Sequence, residues 1–136
     1  MSPLNGDDGI GKSSMKDKEI IPDLSIAKKF GPGMWYTIHI TSLRMGEENF
    51  IEWLRITLSS IPCLKCRKHS LEYLDENHLD KFKDIHNEHG ELIGMFQWTW
   101  KFHNDVNNRL GKRVHDFDEA YRMYTDESTC TDNCGN

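Results

Sequence analysis

The sequence predicts an all-α domain, a four-helix bundle with a short fifth helix, on three observations. Apolar residues recur with a period near 3.6 through the middle of the chain. Pro62 and candidate caps at Asp116 and Asp118 punctuate that pattern. No two segments alternate in the way a strand pair requires.

Taken in order, residues 1–28 are rich in Gly, Ser, Asp and Lys and read as a disordered arm, because they offer too little apolar surface to offset the entropy of ordering. Residues 29–126 form the folded domain. Its first helix spans Trp35 to Leu43. The second carries Phe50, Trp53, Leu54, Thr57, Leu58 and Ile61 at i, i+3, i+4, i+7, i+8 and i+11, a broad apolar stripe that ends where the Pro62 ring blocks continuation. A third starts around Cys63 and turns Leu64, Leu71 and Leu74 inward. Segment 75–92 is polar and mixed, with no clear period. The fourth runs from Ile93 to Leu110, with Met95, Phe102, Val106 and Leu110 along one side. A short fifth runs from Asp116 to Tyr124. Residues 127–136 read as a flexible tail carrying a cysteine pair.

A length of 136 residues suits one domain with a modest core. The net charge of -5 and pI near 5.8 exclude a general pull toward nucleic acid, which rests on clustered Lys and Arg. No apolar run reaches the roughly 20 residues of a spanning helix. The first residues lack the apolar core of a secretory signal, so the expected setting is a soluble, intracellular one.

Four cysteines fall in two close pairs, Cys63/Cys66 and Cys130/Cys134. In a reducing compartment such pairs point to metal binding or redox work. Cys63-Leu64-Lys65-Cys66 follows a proline at a helix start, where free N–H groups and the positive dipole end favour a thiolate. Lys65, Arg67 and Lys68 add positive charge to the same turn. Three readings compete: two buried cysteines that happen to be close, a zinc site using Cys63, Cys66 and either His69 or the tail pair, and a redox disulfide. A zinc site would make the protein a helical interaction module. A thioredoxin-type disulfide would need a βαβ context that this chain lacks.

Around Trp98, residues Trp100, His103, Asn104 and Asn107 share one helical face. Asn104, Asn107 and Asn108 lower helix propensity, which suits side-chain amides required at fixed places, although a solvated polar face is the simpler alternative. Upstream, Trp35 and His39 lie one turn apart. Two helices thus each offer a Trp and a His beside a C-x-x-C. A flat aromatic cofactor needs stacking faces, amide hydrogen bonds and an exchangeable disulfide.

Three segments carry a resemblance: Gly31-Pro32…Trp35…His39, then Pro62-Cys63-x-x-Cys66, then Trp98…His103-Asn104-x-Val106-Asn107…Leu110-Gly111-Lys112. In order and separation they resemble the Erv/ALR family of flavin-linked sulfhydryl oxidases, most closely the short forms of large DNA viruses. The resemblance spans about Phe30 to Tyr124. It implies FAD held non-covalently at one end of the bundle, protein dithiol substrates, O2 as acceptor with H2O2 as product, and a homodimer. It implies that Cys66 is the flavin-proximal sulfur and Cys63 the sulfur attacked by incoming thiolates. Gly31, Trp35, His39, Trp98, His103, Asn104, Asn107 and Lys112 would line FAD, with Tyr121 or Tyr124 near the adenine. A viral member would work in the host cytoplasm or virion. Two departures stand out: Arg44 replaces a frequent aromatic residue, and Trp100 replaces a frequent extra cysteine. The spacing of Cys130 and Cys134 suits the family's shuttle role better than its structural loop.

Overall fold

The computed structural model describes residues 24–126, and its elements are all helical. We number them α1 (Leu24–Arg44), α2 (Glu47–Leu58), α3 (Leu64–Glu76), a 3-10 turn (Leu79–Phe82), α4 (Gly94–Arg109) and α5 (Phe117–Thr125). The all-α expectation holds, and the helices pack as a bundle. The Cys130/Cys134 pair and most of the arm lie outside the described residues.

Helix α1 begins at Leu24, so residues 24–28 belong to a helix rather than to the arm. Pro32 lies inside it. An interior proline removes one backbone bond and costs about 3 kcal/mol, which is why sequence reasoning starts the helix after it. Phe30, Met34 and Trp35 pack against the core and offset that cost.

The apolar stripe of α2 faces inward as its period requires: Phe50, Leu54 and Leu58 are fully buried, and Ile61 follows them into the core. Beyond Ile61 the chain turns at Pro62. Cys63 then takes the N-cap position of α3, its sulfur accepting a hydrogen bond from the Cys66 amide at 3.2 Å. Leu64, expected to point inward, is instead exposed, because Cys63 and Cys66 take the core-facing side of that turn; Leu74 is buried.

Segment 75–92 takes in the end of α3 and the 3-10 turn, and residues 83–92 run on without a helix. Asp84 adopts a left-handed φ of 59°, its amide held by the Glu47 carboxylate, and a single bridge joins His86 to Leu92. The segment closes against Gly94, where an added Cβ would lie 1.7 Å from the Phe82 carbonyl oxygen. Only glycine permits that approach.

Helix α4 is the central element. Met95, Phe96, Trp98 and Phe102 are buried along it, each contributing about 1.5–3 kcal/mol of transfer free energy. Leu110, expected to close that row, is exposed because α4 ends at Arg109. Helix α5 is short and capped by Asp116, whose carboxylate accepts from the Glu119 amide at 2.7 Å; Ala120 is its one buried residue.

Candidate active site

Helices α1 and α4 cross so that their Trp/His pairs meet. Trp35 and His103 stack face to face, centroids 3.8 Å apart and planes within 3°. His39, 2% exposed, hydrogen-bonds His103 through Nε2 to Nδ1 at 2.9 Å. Its other nitrogen, Nδ1, meets the Thr99 hydroxyl at 2.9 Å. Burial, followed by repulsion from His103, lowers the pKa of His39 to about 3. Burial, followed by His115 and Lys112, lowers that of His103 to about 4. Both rings are therefore neutral at physiological pH.

These rings open on a cleft of about 30 Å³ walled by His39, Trp100, His103, Asn104, His115 and Tyr124, among others. The Tyr124 ring lies 4.6 Å from His39 and 5.8 Å from Tyr36. Asn104 holds the loop before α5: its amide donates to the His115 carbonyl and accepts from the His115 amide, and the Trp100 indole N–H donates to the same carbonyl. Asn107 is 8% exposed, yet its side-chain amide has no hydrogen-bond partner among the described residues. Such a buried amide without a partner is rare in a folded protein and fits a ligand group.

The remaining residues expected at the site are more dispersed. Trp98 belongs to the core: it is fully buried between Tyr73 and Phe102, with its indole N–H on the Asn77 carbonyl. Lys112 is exposed, its backbone amide bonded to the Asn107 carbonyl. Tyr121 stacks on Phe117 and donates to Glu91, outside the cleft lining. Gly31 is half-buried, and nothing lies within 4 Å of a Cβ built there. Thr99, His115 and Ala120 were not singled out in the sequence; the hydroxyl of Thr99, one turn before His103 in an otherwise apolar row, was the available signal.

Cys63 and Cys66 form a disulfide with Cα atoms 5.2 Å apart. Both are half-buried against the core, and neither belongs to the cleft lining. The Arg67 guanidinium donates to the Ile61 carbonyl at 3.0 Å, fixing the turn that presents the pair. Among the described residues, no three His, Cys, Asp or Glu side chains gather in a metal-binding group. A zinc site at Cys63 and Cys66 would have to draw its other ligands from elsewhere.

A larger groove of about 420 Å³ runs between α1 and α2, lined by Phe30, Met34 and Trp53 among others. None of the residues expected at the site lines it.

Comparison with known proteins gives the family. Residues 32–126 match the Erv1 / Alr family. The chain belongs to that family. It is 32% identical over 103 residues to an FAD-linked sulfhydryl oxidase of African swine fever virus (isolate Warthog/Namibia/Wart80/1980), covering 70% of this chain and 79% of the relative. The Malawi isolate's protein of the same name is similar to the same extent. A putative FAD-linked sulfhydryl oxidase of Invertebrate iridescent virus 3 is 26% identical over 95 residues, covering 62% of this chain and 58% of the relative. With this membership, the Cys63–Cys66 disulfide becomes the candidate redox centre. No helix among the described residues is long and apolar enough to cross a membrane.

Proposed function

We propose that this protein is an FAD-linked sulfhydryl oxidase in which Cys63 and Cys66 take electrons from protein dithiols. The observation that carries this reading is the disulfide at the N-cap of α3, in a chain of the Erv1 / Alr family. The residues present suit the cofactor in kind. Two neutral histidines, the Trp35 face and the unpartnered Asn107 amide match the flat rings and polar edges of a flavin nucleotide. The cleft as it stands has room for only a water-sized group, so binding requires the wall formed by α5 to move outward. That helix is short and holds one buried residue, which makes it the movable side. Residues His39, His103, Asn104, Asn107 and Trp35 would hold FAD.

The chain's own steps follow thiol–disulfide exchange. A substrate thiolate attacks Cys63 in line, and the Cys66 sulfur leaves as thiolate. A second substrate thiolate then attacks the mixed disulfide, and Cys63 leaves. The substrate gains a disulfide and the pair holds two electrons as thiols. The Cys66 amide near the Cys63 sulfur, the start of α3 and the charges of Lys65, Arg67 and Lys68 stabilise thiolates throughout. When bound, FAD would supply a two-electron acceptor for the reduced pair, with Cys66 as the donor sulfur and O2 as the final acceptor, giving H2O2. The tail pair Cys130/Cys134 would relay electrons to Cys63, and the α1–α2 groove offers an apolar face for the homodimer that the resemblance implies. In this reading, supported by the viral relatives, the protein acts in the host cytoplasm or the virion.

Purified protein should be yellow with about one FAD per chain and should consume oxygen when given a small dithiol. A colourless protein that refuses FAD and carries stoichiometric zinc would replace this reading with the interaction module.

A further inference from the structure

Four groups form a hydrogen-bonded chain across α4 and α1, buried up to its last member: the Phe96 carbonyl, the Thr99 hydroxyl, His39 and the partly exposed His103. The order of its protons follows from counting donors. The Thr99 hydroxyl has one proton, and its oxygen lies 2.7 Å from the Phe96 carbonyl, a group that only accepts. With that proton directed at the carbonyl, the same oxygen accepts from His39, whose Nδ1 then carries hydrogen. A neutral imidazole has a single N–H. His39 Nε2 is thus bare and accepts from His103 Nδ1 at 2.9 Å. That leaves Nε2 of His103 bare, with no hydrogen-bond partner among the described residues, on a ring that lines the cleft. Thr99 is fully buried and His39 is 2% exposed, so water does not compete for these positions. Reversing every bond would strip the Phe96 carbonyl of its hydroxyl donor.

We propose that Thr99 is a positioning residue that sets the tautomers of both histidines, so that His103 presents a lone pair to an N–H or O–H of the bound nucleotide. The inference rests on the reading of the cleft as the flavin-nucleotide site, but its proton order belongs to the chain alone. Removing the hydroxyl leaves His39 Nδ1 without an acceptor. The pair then gains by reversing: His39 donates through Nε2, and His103 is left with hydrogen on Nε2. The site would face the nucleotide's donor with a donor.

The test uses the full chain labelled with 15N-histidine, with FAD and after FAD removal, as wild type, Thr99→Ser and Thr99→Val. Long-range 1H–15N spectra report which ring nitrogen bears hydrogen, and fluorescence titration reports FAD affinity. Wild type and Thr99→Ser should show hydrogen on Nδ1 of both residues and equal affinity. Thr99→Val should show His103 protonated at Nε2 and FAD binding weakened about tenfold, the scale of one mismatched buried hydrogen bond. Hydrogen on Nε2 of His103 in the wild type overturns the proposal, as does Thr99→Val keeping wild-type tautomers and affinity. Should Thr99→Val not fold, the wild-type and Thr99→Ser spectra decide alone. Failure of the chain to bind FAD would sink the function, while the FAD-free spectra would still judge the proton order.

Discussion

Acidifying the FAD-free chain from about pH 7.5 to about pH 5 should destabilise it by about 3 kcal/mol through two histidines. His39 and His103 have pKa values lowered in the fold to about 3 and about 4, chiefly by burial. Between those values and the ordinary histidine value near 6.5, the unfolded chain binds more protons than the folded one. Stability is therefore intact above about pH 6.5 and falls as pH drops through that window. At about pH 5 the drop below the ordinary value is roughly 1.5 units, and at about 1.4 kcal/mol per unit this gives about 2 kcal/mol for His39. His103 is partly exposed, so solvent screening halves its share to about 1 kcal/mol. Urea denaturation followed by tryptophan fluorescence at both pH values measures the difference. A His39→Gln/His103→Gln double variant should lose most of that pH dependence. Equal pH dependence in the variant and the wild type would refute the claim that these rings are held neutral by the fold.

Gly94→Ala should destabilise the fold by about 3 kcal/mol or more, since its methyl would collide with the Phe82 backbone; thermal unfolding should shift down by more than about 10 °C. Asn107→Ala should change FAD-free stability by less than about 1 kcal/mol, because its amide has no described partner to lose, yet weaken FAD retention about tenfold in equilibrium dialysis. Asp116→Ala removes the cap of α5 and should cost about 1 kcal/mol, visible as faster amide exchange confined to residues 117–125.

Where one helix face is wholly apolar, as along Phe50, Leu54 and Leu58, the periodic pattern alone specified both the element and its buried side. The start of α3 at the C-x-x-C was equally plain and the cap of α5 was narrowed to Asp116 or Asp118, because each is a local hydrogen-bonding requirement; the structure gives Asp116. The start of α1 was not, since an interior Pro32 is tolerated only through packing by Phe30 and Met34. Nor was Gly94: its need for a missing side chain arises from a segment folded back from residue 82. At the site, the sequence showed two Trp/His pairs, but their direct contact, and the hydroxyl of Thr99 that completes it, depend on how α1 crosses α4. Trp98 shows the reverse lesson. It sits within the family's motif, yet its indole is held by Asn77 inside the core.

In the proposed function, electrons reach FAD only through the sulfur at position 66. Anaerobic mixing of FAD-loaded protein with a small dithiol measures this through the visible flavin band. Wild type should bleach within the turnover time, while Cys66→Ser should keep its flavin and stay yellow. Bleaching at the wild-type rate in Cys66→Ser would rule out that route to the flavin.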